Sequence, residues 1–121
     1  MKVTIKKVNG AVIALIGLSR IILPFQTARE LKRLRDALRA EAEFLAEEEG
    51  KLIEFHGGRT DGVRLEFRDR AAGAEYMKEL NALLAREVNV DVTPVRIPAD
   101  TEGLRLSAED LENLEGIIEF V

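Results

Sequence analysis

Leucine recurs every seven residues at Leu31, Leu38, Leu45 and Leu52, and Leu34 and Phe55 fall on the flanking helical positions. That spacing lays one apolar seam along a single face of a helix. The stretch Phe25–Phe55 therefore reads as one long helix, roughly 45 Å from end to end at about 1.5 Å per residue. A rod of that length exceeds what one small core covers. Its seam, Leu31, Leu34, Leu38, Leu45 and Leu52, is expected to lie against a second helix or a second chain, and it is the candidate interaction surface.

The seam is not uniform. Glu41 and Glu48 stand where the pattern of Leu34 and Phe55 asks for an apolar residue, which a strict parallel coiled coil tolerates poorly. An antiparallel hairpin, or a helix whose far end projects into solvent, accepts them better. The charges are polarised as well: Arg29, Lys32, Arg33, Arg35 and Arg39 crowd the first half, and six glutamates occupy Glu41–Glu54. The helix dipole favours the reverse order. Two copies lying antiparallel about a twofold axis near Ala40 bring the unlike halves together; a solvated surface is the plainer reading. Gly50 weakens the helix by about 1 kcal/mol relative to Ala. Residues 51–55 are thus open to two readings, the last turn of the helix or a short strand.

On the N-terminal side, Lys2–Val8 alternates like a strand, with Val3 and Ile5 on one face. Asn9-Gly10 suits either a hairpin turn, with Ala11–Leu15 returning, or the cap of a buried helix through Leu18. The absence of alternation in Ala11–Leu18 favours the helix. Leu23-Pro24 ends it, and Pro24 is suited to open the long helix. On the C-terminal side, His56-Gly57-Gly58 and Thr60-Asp61-Gly62 are turn signals, and Val63, Leu65 and Phe67 alternate with charged residues in a half-exposed strand. Asp69 caps a helix whose apolar face is Tyr76, Met77, Leu80, Leu83 and Leu84. Val88, Val90 and Val92 form a strand, and Val95 and Ile97 continue on an edge or bulge after Pro94. Ser107-Ala108-Glu109-Asp110 resembles a capping box, with Gly116 closing the short helix behind it. The apolar C-terminus, Ile117 to Val121, is expected to be tied down rather than frayed.

The 121 residues make one domain, 1–121. With 33% charged and 46% hydrophobic residues, the chain belongs among folded proteins. No cysteine is present, which excludes disulfides and thiolate metal sites and fits the cytoplasm. A net charge of −4, aromatics at 5% and no Trp argue against a nucleic-acid partner, whether by basic surface or by base stacking. The apolar run Ala11–Phe25, interrupted by Ser19 and Arg20, is too short for a membrane span.

Catalytic chemistry finds no motif. His56 is the single histidine, and together with Glu54 and the glutamates upstream it has no recognised metal spacing. Glu47-Glu48-Glu49 points around a helix rather than at one ion. Gly57-Gly58-Arg59-Thr60 lacks the lysine and spacing of a phosphate loop. Tyr76 sits on an apolar helix face and reads as core. No catalytic, cofactor or metal site is assigned.

The order of features resembles a group of small phage and prophage proteins from Gram-positive phage structural operons. The likeness runs through Leu23-Pro24-Phe25, the long charged helix ending Leu52-Ile53-Glu54-Phe55-His56-Gly57, the helix ending Glu79–Leu84, the Glu87–Val92 strand and the closing Leu106–Glu115 segment. The resemblance implies a prefoldin-like helical hairpin with a small β element, serving virion assembly. The expected fold is α+β: a long helix paired with a second helix, plus a small, mostly antiparallel β-sheet. The expected function is a non-enzymatic assembly or interaction protein with protein partners, acting as a homo-oligomer. The alternatives are a regulatory or antitoxin-like binding module and a small metal-binding protein using His56 and nearby glutamates.

Overall fold

A computed structural model describes every residue, Met1–Val121. The fold is α+β, and the long helix is its axis. The elements run β1 (Lys2–Thr4), α1 (Ile5–Leu18), α2 (Phe25–Phe55), β2 (Arg59–Asp61), β3 (Arg64–Glu66), α3 (Arg70–Leu84), β4 (Glu87–Asn89), β5 (Val95–Ile97), α4 (Ala108–Leu114) and β6 (Ile118–Phe120).

The first strand is shorter than its alternation predicts. It stops at Thr4, whose hydroxyl accepts a hydrogen bond from the Lys7 backbone N–H at 3.1 Å and caps α1. From there Ile5, Val8, Ala11 and Leu15 recur at helical spacing, all buried, and their packing overrides the local β pattern. Residues 9–18 are accordingly helix, and Thr4 rather than Asn9 is the cap. Pro24 stands in extended geometry at the head of α2 and accepts the Ala28 N–H at 2.9 Å. The helix then passes through Gly50 without a break, so residues 51–55 are its last turns and not a strand.

Packing divides α2 into two halves. The main core joins Val8, Ala11, Ala14, Leu15 and Leu18 of α1 to Leu31, Leu34 and Leu38 of α2, with Val95 and Ile97 of β5 and Leu114 of α4 closing around them. Helices α1 and α2 thus form the expected pair. The second half of α2 is covered more thinly, by α3. There Tyr76 is the one fully buried α3 side chain, its ring 4.9 Å from that of Phe67.

Three separate two-stranded ladders carry the β structure. β1 pairs with β4 and β2 with β3, both antiparallel. β5 pairs with β6 in parallel, Val95 opposite Ile118 and Ile97 opposite Phe120. The C-terminus is held by that ladder and by the Val121 N–H, which donates to the Ile97 carbonyl at 3.0 Å. Ser107 and Asp110 complete the capping box that starts α4. No helix is long and apolar enough to cross a membrane.

Candidate functional site

The seam residues face inward. Leu31, Leu34, Leu38 and Leu45 are buried within the chain itself, and Leu52 is half-buried. Leu31, Leu34 and Leu38 belong to the main core, whereas Leu45 lies beyond it on the thinly covered half. The long rod is covered by α1 on its first half and by α3 on its second rather than by one partner of its own length.

Phe55 departs from the seam it was read with. It lies three heptads after Leu34, and a straight α-helix drifts by about 20° per heptad against a seven-residue repeat. Over that span the position has turned by roughly 60°. Leu34 is accordingly buried and Phe55 is 79% exposed. Phe44 follows the same logic at closer range. It sits one residue before Leu45, about 100° round the helix, and is 52% exposed.

The far end of α2 collects further exposed apolar groups. The β2–β3 hairpin turns on Gly62-Val63, with Gly62 at φ 64, as the first central position of a type II′ turn requires. Val63 projects fully into solvent at its tip, and Leu65 is also exposed. Beside the end of α2 runs an open groove of about 560 Å³, lined by Phe55 together with Glu54, Arg59, Arg68 and Glu75. Its mixture of charges and one phenyl ring suits a polar rim around an apolar contact.

His56 is engaged inside the fold. Its Nε2 lies 2.9 Å from Oε2 of Glu79 on α3, and its ring stands edge-on to Phe55 at 5.0 Å. The neighbouring glutamates point elsewhere: Glu49 accepts the Tyr76 hydroxyl at 3.0 Å, and Glu48 meets Lys51 at 3.1 Å. No three potential metal-ligating side chains converge. On the basic half, Lys32 hydrogen-bonds Asp36 at 2.6 Å and, with Arg35 at 3.5 Å, holds that carboxyl below its ordinary range. Arg29, Arg33 and Arg39 have no carboxylate within ion-pair distance.

No family model, curated protein or solved structure matches the chain. The site is therefore read from its own residues. The heptad pattern located the buried side of α2 and missed the exposed one. The signal available for Phe44 was its adjacency to Leu45, since neighbouring residues on a helix face different ways. For Val63 it was the glycine before it, which puts a valine in a tight turn where polar residues are ordinary.

Proposed function

We propose that the protein is a non-enzymatic assembly or interaction protein, and that it grips a protein partner with the far end of α2 and the hairpin behind it. The observation that carries the reading is the exposure of Phe55 and Val63, at 79% and 104%, on consecutive elements at one end of the molecule. Single exposed apolar residues are ordinary, but an aromatic beside a charged groove and a valine at a hairpin tip make an anchor pair. The β2 and β3 strands add free main-chain edges to the same region, a further means of holding an extended segment. Phage structural operons are the proposed setting, on the resemblance of the Leu52–Gly57 and Leu106–Glu115 segments. The cytoplasm is the proposed compartment, on the absence of cysteine.

Affinity capture from the native host or an induced lysogen tests this. Wild-type protein and a Phe55→Ser, Val63→Ser double variant serve as baits, with circular dichroism confirming that the variant is folded. Capture of a defined protein by the wild type, lost with the variant, supports the reading. Identical capture by both baits refutes it.

A further inference from the structure

We propose that two copies of this chain pair antiparallel across the outward face of the middle of α2, with Phe44 of each copy seated on Ala37 and Ala40 of the other. The reading goes beyond the function above, because it concerns the middle of the helix, about three turns before Phe55, and a different partner, so the two can fail separately.

The covering elements leave most of this face uncovered, with Ala37 at its edge packed in part against the main core. Arg33, Ala37, Ala40, Phe44 and Glu48 follow one another at steps of three and four, which places them along one side of the helix. Arg33, Ala40 and Phe44 are exposed, Ala37 and Glu48 half-buried. A phenyl ring standing in water between two arms of charge is a poor way to finish a solvated helix. It is a good way to centre a contact.

The pattern along this face is complementary to its own reverse. A twofold axis passing between Ala40 and Glu41 carries residue 37 onto 44, 33 onto 48 and 30 onto 51. Each of these is a matched pair: Ala37 with Phe44, small against large; Arg33 with Glu48, base against acid; Glu30 with Lys51, acid against base. Arg33 has no partner within its own chain. Glu48 and Lys51 meet each other at 3.1 Å, through side chains exposed enough to accept a second neighbour. A parallel pairing sets Arg33 against Arg33, Glu48 against Glu48 and Phe44 against Phe44, so the charges select the antiparallel arrangement. A twofold contact also uses the same patch on both copies, which is what the sequence pattern provides. The ordering of bases before acids, unfavourable for a lone helix, is thereby accounted for.

The contact runs from Glu30 to Lys51, about 32 Å of helix. It is narrow, with one aromatic anchor per copy, so the dimer belongs among weak interfaces, with a Kd on the order of tens of micromolar.

Sedimentation equilibrium of the full chain, from about 10 to about 200 µM so as to bracket that value, tests the proposal. The expected result is a concentration-dependent mass rising towards twice the 13.5 kDa of one chain. Phe44→Glu, at an exposed position where folding is retained, leaves only monomer. Arg33→Glu and Glu48→Arg each weaken association by about tenfold, while the double exchange returns it to within about threefold of wild type, because the swapped charges meet again. Introduced alone into a chain without cysteine, Ala40→Cys lies beside the axis and links to its symmetry mate on mild oxidation. Ala74→Cys, on the exposed side of α3, does not. A single monomeric mass at about 200 µM overturns the proposal. So does a dimer indifferent to Phe44→Glu, a double exchange weaker than either single one, or equal cross-linking at positions 40 and 74.

Discussion

The Tyr76 hydroxyl donates a 3.0 Å hydrogen bond to Oε1 of Glu49, fastening the centre of α3 to α2 one residue before Gly50. The phenol is 2% exposed, and burial, then the bond to Glu49 and its negative charge, raise its pKa from 10.0 to about 12. A deprotonated phenolate would face that carboxylate in a site with little water, so the proton is held.

The first prediction follows from that shift. Folded Tyr76 keeps its proton where the unfolded chain has lost it, so the unfolded state binds fewer protons between pH 10 and about 12. The stability it contributes is complete below pH 10 and is lost as the pH rises towards 12. Tyr76 is the only tyrosine and there is no Trp, so the ultraviolet tyrosinate band reports this group alone. Alkaline titration of the native protein should place its midpoint near 12, and a midpoint near 10 denies the buried bond. Tyr76→Phe should cost about 1 kcal/mol at neutral pH.

Gly50 and Gly10 make a matched comparison within helices. A Cβ at Gly50 meets nothing within 4 Å, whereas at Gly10 it comes 2.7 Å from Oδ1 of Asn113. Gly50→Ala should therefore stabilise the protein by about 0.5–1 kcal/mol, the ordinary helix-interior gain. Gly10→Ala should fall short of it, because Asn113 must move aside. Urea unfolding of both variants decides the point, and equal gains contradict the described contact.

A third expectation concerns the tie between His56 at the end of α2 and Glu79 on α3, 2.9 Å apart. Removing either partner by substitution with Ala should cost about 0.5–1 kcal/mol, since Glu79 is substantially exposed and water screens the pair. The double variant should cost less than the two single costs added together. Strict additivity in the double-mutant cycle means that the contact carries no energy.

Much of this fold was legible from local chemistry. Asp69 and Ser107 cap the helices they were expected to cap, because a side-chain acceptor and the helical run behind it are contiguous in sequence. Long-range packing set what local patterns could not. Thr4 ends a strand that alternation alone would carry to Val8, because Val8, Ala11 and Leu15 join the core shared with α2 and α4. Val95–Ile97 read as an edge, and its parallel partner is the C-terminal strand, more than twenty residues away. The seam was visible as a period of seven, but a period does not say whose surface meets it. The exposed Phe44 sits off that period and Phe55 drifts out of it, and only the placement of α1, α3 and β5 shows which side of α2 they leave bare.

The seam of α2 closes the chain on itself and leaves the flank that carries Phe44 exposed. Leu38 is its most enclosed member, at 0% exposure. The measurement that tests the claim most directly is the thermal midpoint of Leu38→Ala, taken over a roughly hundredfold range of protein concentration in a Phe44→Glu background. An intramolecular seam predicts a loss of about 2–5 kcal/mol, or roughly 10 °C, with the same deficit at every concentration. An unchanged midpoint, or a deficit that disappears as the protein is concentrated, contradicts it.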